Sequence, residues 1–278
     1  MNTLCVTGYA SLDYVLDLAS SVSPDQTSHA TRLPNAWPRL GGCPTYISMA
    51  VAQIEGASMP VTWVGDDPQG TQLVNTLTQS KVNTDGIAIV TDASSPTAVM
   101  LYQPDGSCAC IYDPGHAGRE TLSAAQEAAI AGASHLCISV GPPHLTEQIL
   151  ALRAPSTRLY WAVKNDPACF TPAICNMLCQ SADVIFCNAA ERKMIGPTSA
   201  VVVLTMGSKG VLIEENGSSI RLPVAAFETH DTTGAGDSFA GGYIAAEMTG
   251  AATSEAAAQA GIDTASRLLC SRQKENTV

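Results

Sequence analysis

The chain has 278 residues, a formal net charge of −11 and an apolar content of 46%, which suit one large α/β domain or one domain with a small appendage. Lys and Arg form no basic block, and because nucleic-acid binding needs clustered positive charge, the composition argues against a nucleic-acid partner. The sequence shows neither a signal peptide nor a run of about 18 apolar residues, so we expect a cytoplasmic protein without a membrane span.

The predicted elements alternate between short apolar runs and helical patterns. In chain order, strands are predicted at 3–8, 60–67, 87–90, 135–141, 158–163, 183–188 and 200–207, and helices at 44–56, 70–81, 123–132 and 236–269, the last with a break near Gly250. Repeated β–α units predict an α/β fold in which a mainly parallel sheet carries helices on both faces. We expect residues 1–278 to form one such domain.

Two segments, residues 14–40 and 97–113, interrupt this alternation. The second consists of two extended arms around Pro104-Asp105-Gly106, which is a strong hairpin signal. Both segments predict a small β appendage that closes over the site as a lid. Because the edges of such an exposed sheet need covering, we also expect a homodimer through the lid.

The 10 cysteines include no CxxC pair, and the spacing between Cys169 and Cys187 is unlike that of a zinc ribbon. We interpret them as reduced core thiols of a cytosolic protein.

The most unusual chemistry lies in the stretch "TTGAGD", residues 232–237, which opens the last helical region. Backbone N–H groups in such a turn, together with the helix dipole, can hold a phosphate. Asp237 would repel that phosphate unless a neutral hydroxyl lay between them, and its carboxylate could then accept the hydroxyl proton. The alternative is an ordinary glycine turn with an Asp near the helix start.

Two common nucleotide-binding fingerprints are missing. The Walker A pattern GxxxxGK[ST] does not occur, and Phe239 occupies the third glycine position of a GxGxxG motif. A P-loop protein and a nicotinamide-dependent enzyme of the Rossmann type are therefore both disfavoured.

The longer stretch "DTTGAGDSFAGG" resembles the C-terminal signature of the ribokinase-like (PfkB) carbohydrate kinases. Further motifs that resemble this family follow in the expected order: "GYASLD" (8–13), "GGCPTYISMA" (41–50), "VGDDPQG" (64–70), "NAAE" (188–191) and "TMGSKG" (205–210). The resemblance covers about residues 3–270, and it implies the ribokinase-like fold and an ATP-dependent kinase of a small sugar.

The resemblance also implies a role for each matching residue, with Asp237 as the catalytic base. The other implied roles are the anion hole (Gly234, Ala235, Gly236), the acceptor site (Asp13, Gly41, Gly42), the nucleotide site (Asn188, Thr205, Gly207, Gly210, Thr232), Mg²⁺ binding through water (Glu191 with Asn188) and, in members that use potassium, monovalent-cation binding (Asp231, Thr233). Hard oxygen ligands and retained waters suit Mg²⁺.

The sequence departs from the family pattern at three places in the acceptor region. Tyr46 replaces a sugar-binding Asn, Gly141 stands where a Glu is common, and the strand at 160–167 lacks an Arg that Lys164 or Asn165 could replace. Tyr46 could bind a different sugar, stack on a nucleobase or be a core aromatic.

The sequence does not identify the acceptor. No basic residue follows the Gly41-Gly42 pair, which favours an unphosphorylated acceptor. The hypotheses are a sugar kinase, a nucleoside kinase of the same family, and a non-catalytic sugar- or nucleotide-binding regulator.

Overall fold

The structure is a computed structural model that describes residues 2–225 and 231–275. Within these residues the strands are β1 (Thr3–Thr7), β2 (Ser11–Leu18), β3 (Ala30–Arg32), β4 (Arg39–Gly41), β5 (Ala57–Gly65), β6 (Ile87–Val90), β7 (Thr97–Tyr102), β8 (Cys108–Asp113), β9 (His135–Ile138), β10 (Arg158–Ala162), β11 (Val184–Asn188), β12 (Val201–Thr205), β13 (Val211–Glu215) and β14 (Ser218–Leu222). The helices are α1 (Cys43–Ala52), α2 (Pro68–Gln79), α3 (Ala124–Gly132), α4 (Thr146–Leu152), α5 (Pro172–Ser181), α6 (Ala235–Met248) and α7 (Ser254–Glu275).

Nine of the strands form the large sheet, in the order β14-β13-β12-β11-β10-β9-β1-β5-β6. The neighbours from β12 to β6 pair in parallel, whereas β13 and β14 are antiparallel additions at one edge. The predicted mainly parallel sheet is confirmed. The carboxyl ends of the parallel strands lie on the same side of the sheet, and ligands of such sheets bind there.

Helices cover both faces of this sheet, as predicted. In β1, Leu4 and Val6 face one core while Cys5 faces the other, because successive side chains of a strand point to opposite faces. The first core contains buried residues of α1, α6 and α7, and the second contains residues of α3, α4 and α5. All 10 cysteines are free thiols, and most of them are buried in these cores.

The two segments outside the alternation form a second, smaller sheet in the order β3-β2-β7-β8, and β4 also pairs with β2. The predicted hairpin is present: β7 and β8 are antiparallel, and the N–H of Gln103 donates to Ser107 O at 2.8 Å. The chain leaves the large sheet after β1 to form β2, β3 and β4, and it leaves it again after β6 to form β7 and β8. The small sheet therefore lies beside the carboxyl edge of the large sheet.

Of the helices in the described ranges, none is both long and apolar enough to cross a membrane.

Candidate active site

A cavity of about 800 Å³ lies between the small sheet and the carboxyl edge of the large sheet. Its lining brings together most of the predicted site residues: Asp13, Gly42, Tyr46, Asn188, Thr205, Gly207, Gly210, Thr232, Thr233, Gly234, Ala235, Gly236 and Asp237. Three predicted residues, Gly41, Glu191 and Asp231, are not part of the lining and contact it from outside.

The turn before α6 presents unpaired backbone donors to this cavity. Gly234 adopts φ 75° and ψ −1°, a left-handed conformation that glycine tolerates. Within the described residues, the N–H groups of Gly234, Gly236 and Asp237 have no acceptor, as expected at a helix N-terminus. The N–H of Ala235, which the sequence predicts to be an anion-hole donor, instead donates to Thr232 O at 3.1 Å and closes the turn.

Asp237 lies in the first turn of α6 and is 7% exposed. The Nζ atom of Lys164, just beyond β10, lies 3.3 Å from Asp237 Oδ1. The negative charge of Asp237 raises the pKa of Lys164. Lys164 therefore stays protonated, and it occupies the strand end where the sequence lacks an Arg.

Asp13 is 3% exposed in β2, where the hydroxyl of Ser11 donates to its Oδ1 at 2.7 Å. Burial raises the pKa of Asp13, although the Ser11 hydrogen bond and the Arg39 charge oppose the shift. A Cβ on Gly41 would overlap the Asp13 carboxylate, so glycine is required for this close approach. Gly41 thus shapes this part of the cavity through Asp13.

Tyr46 is 6% exposed in α1, and its ring packs against Gly234. Its hydroxyl accepts a hydrogen bond from Nη2 of Arg272 at 3.2 Å. These contacts agree with the core-aromatic alternative. They favour it over stacking on a nucleobase, because the turn covers one face of the ring.

Asp231 is held by two guanidinium groups from different elements. Nη2 of Arg39 donates to Oδ1 at 2.9 Å and Nη1 of Arg39 donates to Oδ2, while Nη1 of Arg272 lies 3.4 Å from both Oδ1 and the main-chain O. Nη1 of Arg272 also donates to the main-chain O of Thr233. The monovalent-cation assignment for Asp231 and Thr233 does not fit this geometry, because Arg272 already binds the oxygens that such an ion would need.

Asn188 and Glu191 bind each other's backbone. The N–H of Asn188 donates to Glu191 Oε2 at 2.8 Å, and Asn188 Oδ1 accepts from the N–H of Glu191 at 3.0 Å. Burial raises the pKa of Glu191, although the Lys164 charge opposes this. Across the described residues, no group of three or more His, Cys, Asp or Glu could hold a metal ion. One buried carboxylate fits an Mg²⁺ that keeps its waters and binds mainly to phosphates.

The cavity lining also includes Thr205, Gly207 and Gly210 together with a wall of apolar side chains. Val211, Val224, Ile262, Ala265 and Leu269 line that wall. None of these five residues was among the site residues predicted from the sequence. Their signal was the spacing 262, 265, 269 on one face of a helix.

The match to a family model covers residues 1–276, and that model describes the pfkB family carbohydrate kinases. A nucleoside kinase of Methanothermobacter thermautotrophicus is 23% identical over 89% of this chain and 83% of its own. The crystal structure of Methanocaldococcus jannaschii nucleoside kinase has a TM-score of 0.79 at 17% identity, over 97% of this chain and 92% of its own. Ribokinase from Cryptococcus neoformans in complex with ADP has a TM-score of 0.77 at 23% identity, over 95% of this chain and 91% of its own.

Proposed function

The chain belongs to the PfkB family of carbohydrate kinases, and we propose that it transfers the γ-phosphoryl group of ATP to a hydroxyl of a small, unphosphorylated sugar. The observation that carries this proposal is the turn at Gly234–Asp237, which lines the cavity with a carboxylate and with N–H donors that have no acceptor in the described ranges. Donors alone would suit any anion. The adjoining carboxylate is explained by an acceptor hydroxyl that must lose a proton.

In the proposed reaction, the oxygen of the acceptor hydroxyl attacks the γ-phosphorus of ATP, and Asp237 accepts the proton of that hydroxyl. The bond from that phosphorus to the bridging oxygen of ADP breaks, and ADP leaves. The N–H groups of Gly234, Gly236 and Asp237 stabilise the charge on the transferred group, and Lys164 adds a positive charge beside it. Exclusion of water by the small sheet would limit hydrolysis of ATP.

The ATP site is proposed along Asn188, Thr205, Gly207, Gly210 and Thr232, with the adenine against the apolar wall at the α7 end of the cavity. The complex of the Cryptococcus neoformans ribokinase with ADP supports a nucleotide in this fold. Glu191 would hold Mg²⁺ through water, and Mg²⁺ neutralises phosphate charge when it is bound with the nucleotide.

The acceptor end supports a polyol. Asp13 presents a buried carboxylate, and the buried hydroxyl of Tyr112 has no hydrogen-bond partner among the described residues. Lys164 is the one Lys or Arg side chain in the cavity lining that the structure describes, and it is paired with Asp237. A phosphate group on the acceptor would need arginine side chains to pair with, and the described lining contains none.

Nucleoside phosphorylation is the second candidate. The rings of Tyr9 and Tyr112 lie at the acceptor end with centroids 5.9 Å apart and offer apolar faces to a base. The nucleoside kinase of Methanothermobacter thermautotrophicus also favours this candidate.

A coupled ADP-release assay with MgATP against free sugars, sugar acids and nucleosides tests the proposal. The expected result is turnover with one class of unphosphorylated acceptor and a matching acceptor-induced rise in Tm. Turnover with sugar phosphates alone would overturn the acceptor class. A change in Tm with acceptor but no turnover would favour the non-catalytic regulator.

We further propose that the small sheet closes over the bound acceptor and that two chains associate through it. Ile111 of β8 is 61% exposed on this sheet, which supports an apolar contact there. Sedimentation should show a dimer at micromolar concentration, and a monomer alone would contradict the association.

A further inference from the structure

Arg272 is a buried cation beside the anion-binding turn. It lies near the C-terminal end of α7 and is only 6% exposed, which is rare for an arginine. Its guanidinium donates to Thr233 O and to the hydroxyl of Tyr46, and it lies 3.4 Å from Asp231 Oδ1. A single side chain thus joins α7, α1 and the turn that precedes α6.

The oxygens around Arg272 are those expected of a cation site: one carboxylate oxygen and the main-chain oxygens of Asp231 and Thr233. Arg39 binds the same carboxylate from β4. Among the described residues, Arg39 and Arg272 thus place two fixed positive charges at Asp231, and both also act on the Asp13 carboxylate. An added monovalent cation would have to displace Arg272 and would be repelled by Arg39.

The contacts of Arg272 also determine the shape of the turn. Thr233 is held through its main-chain O by Arg272, and its N–H donates to Asp231 Oδ1 at 3.2 Å. The next residue, Gly234, packs on the Tyr46 ring that Arg272 also contacts. Arg272 therefore holds the Thr233–Gly234 peptide from both sides, directly at Thr233 and through the Tyr46 ring at Gly234.

We propose that Arg272 is a built-in cation that holds the anion-binding turn in place, so that phosphoryl transfer by this chain needs no potassium. The part that concerns phosphoryl transfer rests on the proposed function. The part that concerns the cation site does not, because it can be measured as thermal stability in the absence of any substrate. Arg272 acts as a positioning residue, since it reaches the reacting groups only through the turn.

The test compares the whole chain in KCl, NaCl and choline chloride at equal ionic strength. We expect the Tm and the turnover to be the same in the three salts. A specific site that potassium fills would raise the Tm by about 2 °C or more over choline. Such a rise, or turnover that depends on potassium, would overturn the proposal.

The variant Arg272→Ala opens the cation site, and Arg267→Ala on the exposed face of the same helix is its matched control. We expect Arg272→Ala to lower the Tm by on the order of 10 °C, because it leaves Asp231 without one of its partners. We also expect it to lower turnover at least about 10-fold, with partial recovery in millimolar guanidinium but not in choline.

Two outcomes with the variants would contradict the proposal. One is an Arg272→Ala protein with the Tm and turnover of Arg267→Ala. The other is a lowered Tm with wild-type turnover at a temperature where the variant is folded, because Arg272 would then be merely structural. If no acceptor supports turnover in any protein, the proposed function fails, and the salt dependence of the Tm still decides the cation site.

Discussion

Gly234 lies against the face of the Tyr46 ring, so closely that a Cβ on Gly234 would be 2.6 Å from Tyr46 Cζ. A real Cβ does not approach a ring this closely. The conformation of this turn therefore depends on a glycine at position 234 and on the Tyr46 ring that packs against it.

The variant Gly234→Ala should lose both stability and turnover. The added methyl group would clash with the Tyr46 ring, and the alanine backbone would have to adopt the unfavourable φ of 75°. We therefore expect the Tm to fall by on the order of 5–10 °C and turnover to fall by about 10-fold or more. Gly118→Ala is the matched control, since Gly118 has φ 77° and open space around it. The control should lose only about 2–4 °C, and equal losses would contradict the role of the ring.

Lys164→Met should lower kcat by about 10²-fold while the KM for the acceptor changes less. The lysine places a positive charge 3.3 Å from Asp237, where charge develops during transfer. Steady-state kinetics check this against Lys81→Met, which removes an exposed lysine at the end of α2. A fall in kcat of less than about 3-fold would show that Lys164 does not act in the transition state.

Asp231→Asn should destabilise the chain at neutral pH and much less in acid. Burial would raise the pKa of Asp231, but the hydrogen bonds from Arg39 and the charges of Arg272 and Arg39 hold it below its ordinary value. The stability that the ionised carboxylate contributes is present above the unfolded pKa of about 3.9 and is lost as the pH falls through the lower folded pKa.

The gap in Tm between wild type and Asp231→Asn should therefore be largest above about pH 5 and shrink below about pH 4. Asp25→Asn, at an exposed position, should show no gap at any pH. A gap that is constant down to pH 2 would mean that the ionised carboxylate is not what stabilises this region.

Ala265→Phe should block the proposed adenine wall. Ala265 faces the cavity from α7, and a phenyl ring there would occupy space that the nucleotide needs. We expect the KM for ATP to rise about 10-fold or more and the ADP-induced rise in Tm to disappear, while the acceptor-induced rise remains. Ala256→Phe on the exposed face of α7 is the control, and an unchanged ADP response in Ala265→Phe would place the nucleotide elsewhere.

Most of the large sheet could be predicted from the sequence because its strands are buried on both faces. Such strands are short continuous apolar runs, and the run predicted at 183–188 contains β11, whose first four residues are buried. The helix α5 was missed, although Ile174, Cys175, Leu178 and Cys179 form its buried face. Including Cys175 and Cys179 in the apolar pattern would have revealed this helical spacing. The hairpin of β13 and β14 was missed because four of the five residues of β14 are exposed.

The site was predictable only where it is local in the chain. The conformation of the turn from Thr232 to Asp237 is determined by residues within it, namely two glycines and the start of a helix. The contact between Arg272 and Tyr46 joins residues 226 positions apart, and that between Arg272 and Asp231 spans 41 positions. Periodicity in the sequence does not indicate such distant pairs, so the contacts of Arg272 and of Tyr46 could be found only in the folded chain.

The most direct test of the account is the turnover of Asp237→Asn with MgATP and the acceptor identified by the assay, beside ADP-induced stabilisation of the same protein. Asn keeps the shape of the side chain but cannot accept the proton. The account predicts a fall in kcat of at least about 10²-fold with an unchanged Tm response to ADP. A variant with kcat within about 3-fold of wild type would contradict the assignment of Asp237 as the base.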